Sequence, residues 1–270
     1  MKRKISLAYL TLPGINPFDQ IKIAKDAGYD CVSLRTIPMG QPGEPQPILE
    51  KDPELMARIQ EALKEYELPL LDIELLRVRE DLPDDYRGAF ECAARLGTEN
   101  VLCSVWTEDR TFAAERLAQL AEQAREYGLN VNLEFPAIAG IRTLDDTLEM
   151  VDRVGAPNLK ILMDMLYVHW DHVDGEKIRS IAPEKFGVIH LCDSPKNERD
   201  YKELVEIMRG AREYPGIGAA DLQDILSALP KNPCAIELPN LANIEKYGQF
   251  GHAKNCLDYA RKFFAEHGLD

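Results

Sequence analysis

Four short apolar runs in the second half of the chain each carry one residue able to bind a hard cation. They are Glu134 in Asn132-Leu133-Glu134-Phe135-Pro136, Asp164 in Leu162-Met163-Asp164, His190 in Val188-Ile189-His190-Leu191 and Glu237 in Ala235-Ile236-Glu237-Leu238-Pro239. An ionised side chain inside an apolar run is costly unless it is paired, protonated or bound to metal. Taken singly, Glu134 reads as a capping or salt-bridging group and His190 as a satisfied core histidine. Four such residues at matching places call for a common cause, and one shared divalent cation supplies it. Three carboxylates and one imidazole suit Mn²⁺ best, with Mg²⁺ or Co²⁺ as alternatives. Zn²⁺ fits less well, since a structural zinc prefers thiolates and a closed tetrahedron.

The elements that must position these residues alternate along the whole chain, a short apolar run followed by an amphipathic stretch. The pattern predicts strands over 5–10, 31–34, 70–75, 101–105, 131–135, 159–164, 187–192 and 234–238. These runs are rich in Val, Ile and Leu on both faces, as strands covered by helices must be. Between them the pattern predicts helices over 18–27, 53–65, 84–96, 111–127, 144–154, 175–182 and 222–229, with 250–267 closing the chain. Gly28, Gly97 and Gly128 follow three of the helices, as left-handed C-terminal residues do, while Asp52-Pro53 and Thr143 are suited to helix starts.

Eight βα units in 270 residues predict one domain over 1–270, a single (β/α)8 barrel. A doubly wound open sheet is the alternative. It would carry a glycine-rich turn after its first strand, and Pro13-Gly14-Ile15-Asn16-Pro17 is not one. Two departures from a minimal barrel fall on the C-terminal face, where barrel enzymes build their sites. One is the Pro- and Gly-rich stretch 36–47. The other is an insertion after strand seven, 194–221, with an extra helix over 201–208 and the segment Arg212-Glu213-Tyr214-Pro215-Gly216-Ile217-Gly218.

Composition narrows the partners. The chain has 32 Lys and Arg against 46 Asp and Glu, a net charge of −14. Such a surface repels nucleic acid and anionic membranes alike. The basic start Met1-Lys2-Arg3-Lys4 and the apolar run behind it imitate a signal peptide, but the run is short, ends at Pro13-Gly14 and has no small-x-small cleavage site. Six cysteines stand far apart without CxxC pairs, the pattern of reduced core residues in a cytoplasmic protein. A homo-oligomer is compatible with this reading.

The residues resemble the xylose-isomerase-like TIM barrels, a family of sugar and sugar-phosphate isomerases and epimerases, inosose dehydratases and 3-dehydroshikimate dehydratases. The resemblance covers most of the chain and is strongest from Val131 onward. It rests on Leu133-Glu134-Phe135-Pro136, Leu162-Met163-Asp164, Ile189-His190-Leu191-Cys192-Asp193, the Arg212 to Gly218 segment and Ile236-Glu237-Leu238-Pro239-Asn240. It implies that Glu134, Asp164, His190 and Glu237 bind the divalent metal and that the two glutamates are also the acid and base. Many relatives place a histidine three residues after the strand-six aspartate. This chain has Tyr167 there, with His169 two positions further on.

The chemistry expected is proton abstraction α to a carbonyl in a sugar or polyhydroxy-ketone, with a cation stabilising the enediolate and Glu134 and Glu237 exchanging the proton from opposite walls. A dehydratase begins in the same way and then expels a β-hydroxyl. It needs a further acid, for which His169, Asp193 or Glu74 are candidates. Arg212 and Arg35 are expected to contact the substrate, and Trp106 and Tyr9, at strand ends, to line its pocket. A non-catalytic sugar-binding barrel is the minor alternative.

Overall fold

The computed structural model describes residues 3–40, 47–195 and 201–269. Parallel strands cannot be joined by tight turns, so each must be followed by a crossover, and here the crossovers are helices. In chain order the elements are β1 (Ile5–Leu7), α1 (Pro17–Ala27), β2 (Cys31–Arg35), α2 (Pro53–Glu65), β3 (Leu70–Val78) and α3 (Arg87–Leu96). Then come β4 (Asn100–Val105), α4 (Arg110–Glu126), β5 (Asn130–Glu134), α5 (Leu144–Val154), β6 (Leu159–Asp164), α6 (Met165–Trp170) and α7 (Gly175–Arg179). The chain ends with β7 (Phe186–Leu191), α8 (Tyr201–Gly210), α9 (Leu222–Ala228), β8 (Cys234–Ile236) and α10 (Leu241–His267). The strands pair in sequence order, all parallel, and β8 closes on β1 through Ser6 and Ala235. This is the (β/α)8 barrel expected, with α8 as the extra helix after strand seven.

Local chemistry sets the helix ends. The Asn16 side chain accepts the N–H groups of Phe18 and Asp19 at the start of α1, and Gly28 ends it at φ 92°, a conformation that glycine adopts without a steric penalty. Asp52 and Thr143 cap α2 and α5 in the same manner.

Packing divides into two apolar clusters. The larger lies between strands and helices. The smaller joins Ala8, Leu75, Leu102, Leu162, Val188 and Ala235. Three of these stand two residues before Asp164, His190 and Glu237, and the period of two puts each pair on one face of its strand. The polar groups therefore sit on the same inward face as this apolar plug, one step nearer the C-terminal mouth. All six cysteines are buried and unpaired, as expected of reduced core thiols. Among the described residues no helix is long and apolar enough to cross a membrane.

Several boundaries differ from the pattern. β1 stops at Leu7, because Tyr9–Thr11 form a 3-10 turn in which Thr11 Oγ1 donates to the Ile236 carbonyl and accepts from Leu238 N–H. β3 runs on to Val78. The segment after Asp164, which the alternation left unassigned, is the short helix α6, which is apolar nearly throughout and so gives no period to detect. α10 begins at Leu241 and breaks at Gly248, whose φ of 70° and ψ of 169° are not helical. The middle of the Pro- and Gly-rich stretch, 41–46, and residues 196–200 of the insertion lie outside the described residues.

Candidate metal centre and active site

Glu134 and Asp164 end β5 and β6, His190 lies one residue before the end of β7, and Glu237 follows β8. The β6–β7 register places Asp164 opposite His190. One ligand atom from each of Glu134, Asp164 and His190 falls within 4.8 Å of the others, and all three residues are buried. His190 Nδ1 stands 3.5 Å from Glu237 Oε2 and 3.9 Å from Asp164 Oδ2. Glu237 thus borders the triad at the same imidazole nitrogen.

A fourth partner is Arg212, with no exposed surface. Its Nη1 donates to Asp164 Oδ2 at 2.8 Å and to the Glu237 carbonyl at 3.0 Å, and its Nη2 lies 2.9 Å from Glu237 Oε2. Nη2 also reaches the Tyr167 hydroxyl at 3.5 Å, while Nε donates to the Met208 carbonyl. The planar fork of an arginine suits this bridging of two carboxylates. Sequence reasoning placed Arg212 on the insertion as a substrate contact. The structure instead turns the guanidinium inward, because Asp164 and Glu237 are buried anions that need a countercharge.

The electrostatics follow from burial and neighbours. Burial pushes the Glu134 carboxyl well above its usual range, and the charge of Glu237 adds to the effect. Glu237 goes the other way: burial opposes its ionisation, but His190 and Arg212 overcome that and hold it well below the usual range. Burial also raises Asp164, with Arg212 pulling it back. For His190 burial disfavours the charge, yet the surrounding carboxylates, Glu237 foremost, push its pKa up to about 10.

Neither ring nitrogen of His190 makes a hydrogen bond. A buried imidazole without a hydrogen-bond partner, among carboxylates, fits a cation: the donor set is oxygen-rich with one nitrogen, and the cation would satisfy the imidazole and offset the negative charge together. Glu134, Asp164 and His190 could hold it, with Glu237 beside them.

Above this centre opens a cavity of about 430 Å³. Glu134, Glu237, Tyr9, Arg35, Trp106 and Tyr167 all contribute to its wall. Arg35 donates to Glu74 Oε2 at 3.0 Å and lies over the Tyr9 ring at 4.5 Å, so its cation is already balanced. Glu74 is fully buried behind it and also accepts from Tyr9 N–H.

Two expected substrate contacts lie elsewhere. Asp193, 1% exposed, accepts the backbone N–H groups of Ser194, Gly216, Gly218 and Ala220, and so anchors the segment after Arg212. His169 is half-buried near the end of α6 and is not among the residues lining this cavity.

Sequence reasoning missed Asp72. It is 2% exposed on β3, neither carboxylate oxygen has a hydrogen-bond partner, and burial with the charge of Glu74 pushes it up to about 7. The signal was present: Asp72 and Glu74 are two apart in an apolar strand and must share its inward face.

The model of the xylose isomerase-like TIM barrel family matches residues 21–250. The chain belongs to that family. Within reach of this xylose isomerase-like barrel in sequence is the inosose isomerase of Bacillus velezensis, 23% identical over 237 residues that cover 81% of this chain and 80% of that protein. Among solved structures it is similar to the IolI protein with a bound zinc atom, at a TM-score of 0.82 and 20% identity over 98% of this chain and 99% of the other. It is also similar to a D-allulose 3-epimerase from Methylomonas sp. in complex with D-allulose, at a TM-score of 0.71 and 18% identity over 97% and 98% of the two chains. At these identities the structural likeness speaks for the fold.

Proposed function

We propose that this barrel is a divalent-metal-dependent isomerase or epimerase of a hydroxy-carbonyl substrate, a ketose-like compound or its phosphate, working by proton transfer α to the carbonyl. The observation that carries the reading is the convergence of Glu134, Asp164, His190 and Glu237 beneath a cavity into which the two glutamates open. The two glutamates face the cavity from the ends of β5 and β8, so one carboxyl can take a proton from a substrate held between them while the other returns one. The inosose isomerase to which the chain is similar in sequence supports the same class of reaction.

When bound, a divalent ion, Mn²⁺ by the oxygen-rich donor set, supplies the positive charge that stabilises the substrate oxygens as the proton leaves. The chain does the rest. Glu237 removes the α-proton. Glu134 delivers one from its side of the cavity, and where that proton lands separates isomerisation from epimerisation. Arg212, locked behind Asp164 and Glu237, is a positioning residue. It fixes the Glu237 carboxylate and keeps it ionised.

A dehydratase needs a further acid facing the substrate. Asp193 is saturated by four backbone donors, Glu74 is held by Arg35, and His169 is not part of the cavity wall, so the isomerase reading is favoured. The test is exchange of the substrate α-proton with deuterated water, followed by proton NMR, using Mn²⁺-loaded protein and a panel of ketoses and inososes. Exchange is expected in wild type and a loss of at least a hundredfold in Glu134→Gln and Glu237→Gln, both folded by circular dichroism. Near-normal exchange in either variant would remove that residue from the acid/base role, and no exchange with any substrate would remove the reaction.

A further inference from the structure

Arg212 grips the candidate metal centre by atoms that a cation would also seek. The two carboxylate oxygens that face His190 Nδ1 are Glu237 Oε2 at 3.5 Å and Asp164 Oδ2 at 3.9 Å. Arg212 takes the same two atoms, with Nη2 at 2.9 Å from the first and Nη1 at 2.8 Å from the second. The guanidinium is not free to swing aside. Its Nε donates to the Met208 carbonyl at 3.2 Å and its Nη1 to the Glu237 carbonyl at 3.0 Å. The backbone is pinned as well, since the Arg212 N–H donates to the Pro239 carbonyl and the Arg212 carbonyl accepts from Asn240 Nδ2. With no exposed surface, the charge is poorly screened by water.

Such an arginine has two opposed effects on a metal ion. It holds Asp164 and Glu237 in place, which favours binding, and it sets a permanent positive charge against them, which repels a divalent ion and engages their lone pairs. The side chains of Asp164 and Glu237 are already buried among packed neighbours, so fixing them further gains little, whereas repulsion between a fixed monovalent and a divalent charge in a buried site is strong. We infer that Arg212 is a built-in competitor of the metal, an internal cation that weakens the hold of this centre on a divalent ion and so keeps the ion exchangeable. The inference rests on the proposed metal centre and adds what sets its affinity.

The test is calorimetric titration of Mn²⁺ into wild type, Arg212→Gln, Arg212→Lys and the double variant Arg212→Gln/His190→Ala, at one pH and ionic strength. Arg212→Gln keeps amide donors and loses the charge, and its dissociation constant should be lower than that of wild type by at least about tenfold. Arg212→Lys keeps the charge and loses the fork, and should stay within about threefold of wild type. The double variant should not bind. If Arg212→Gln is folded only with Mn²⁺ present, the comparison is made from the loaded side, as the concentration of EDTA that strips half of the ion. Equal or weaker binding in Arg212→Gln, or equal tightening in Arg212→Lys, would overturn the inference and leave the metal centre standing. Binding that survives in the double variant, or no binding in any protein, would overturn both. Exchange of the substrate α-proton is read separately on wild type: tightening without exchange upholds the role of Arg212 and defeats the isomerase reading, and exchange without tightening does the reverse.

Discussion

Asp72 is the residue whose chemistry is least reconciled with its place. Its carboxyl lies inside the barrel, with Ser33 beside it in the strand register and Glu74 two residues on, yet neither oxygen is hydrogen-bonded. Its folded-state pKa is raised from 3.8 to about 7. A raised carboxyl binds its proton more tightly when folded, so its stabilising contribution is complete below the ordinary value and is lost as pH climbs through about 7. Asp72→Asn, which cannot ionise, should escape that loss. In urea unfolding the variant should gain on wild type by roughly 2–4 kcal/mol between about pH 5 and pH 8. A constant difference across that range would show that Asp72 does not titrate there. The four ligand-type residues were legible in the sequence because each interrupts an apolar run. The inward turn of Arg212 was not, since it depends on the two carboxylates of β6 and β8 meeting in space, and no local pattern encodes that meeting.

At the level of elements, strand and helix order could be read almost throughout, because the alternation of apolar runs with amphipathic stretches is long and its helix caps are chemically explicit. The failures cluster at the mouth. α6 is too short and too uniformly apolar to show a period, and its start is set by Asp164, whose Oδ1 accepts the Leu166 N–H while the residue also serves the site. The segment after Arg212 is organised by Asp193 rather than by any repeating pattern. A Cβ on Gly218 would stand 2.1 Å from the Ser194 carbonyl oxygen and 2.4 Å from Asp193 Oδ1, so that close approach requires glycine. Asp193→Ala would leave four N–H groups without their acceptor, at about 1–3 kcal/mol for each that water does not reach. The melting temperature should drop by several degrees, and limited proteolysis should cut first near 213–220. A wild-type cleavage pattern would mean that the anchor is dispensable.

For the molecule as a whole, the decisive property is that four consecutive strands bring their polar ends to one point. A cation bound there ties β5, β6, β7 and β8 together, and a ligand held only by the native state stabilises it by an amount that grows with its concentration. At a hundredfold excess over the dissociation constant the gain is about 2.7 kcal/mol, which for a chain of this size corresponds to a rise of about 5 °C or more. Mn²⁺ should therefore raise the melting temperature of wild type and leave His190→Ala unmoved. Equal shifts in both proteins would place the binding elsewhere. The net charge of −14 favours the arrival of any cation, and this part of the effect should weaken with added salt.

The six cysteines, each buried and unpaired, also make the chain its own reporter of opening. Burial raises every one of these thiols, Cys31 to about 12, so native protein holds almost no thiolate within reach of a reagent. They are distributed from β2 to α10, so any excursion that unravels one sector of the barrel releases the thiols of that sector and leaves the others silent. An aromatic disulfide reagent would therefore register the barrel's breathing as a staircase if sectors open separately, and as a single step if the ring opens all at once. Loading with Mn²⁺ should slow the release of Cys192 more than that of Cys31, because Cys192 lies beside Asp164 and Arg212 whereas Cys31 lies across the barrel on β2.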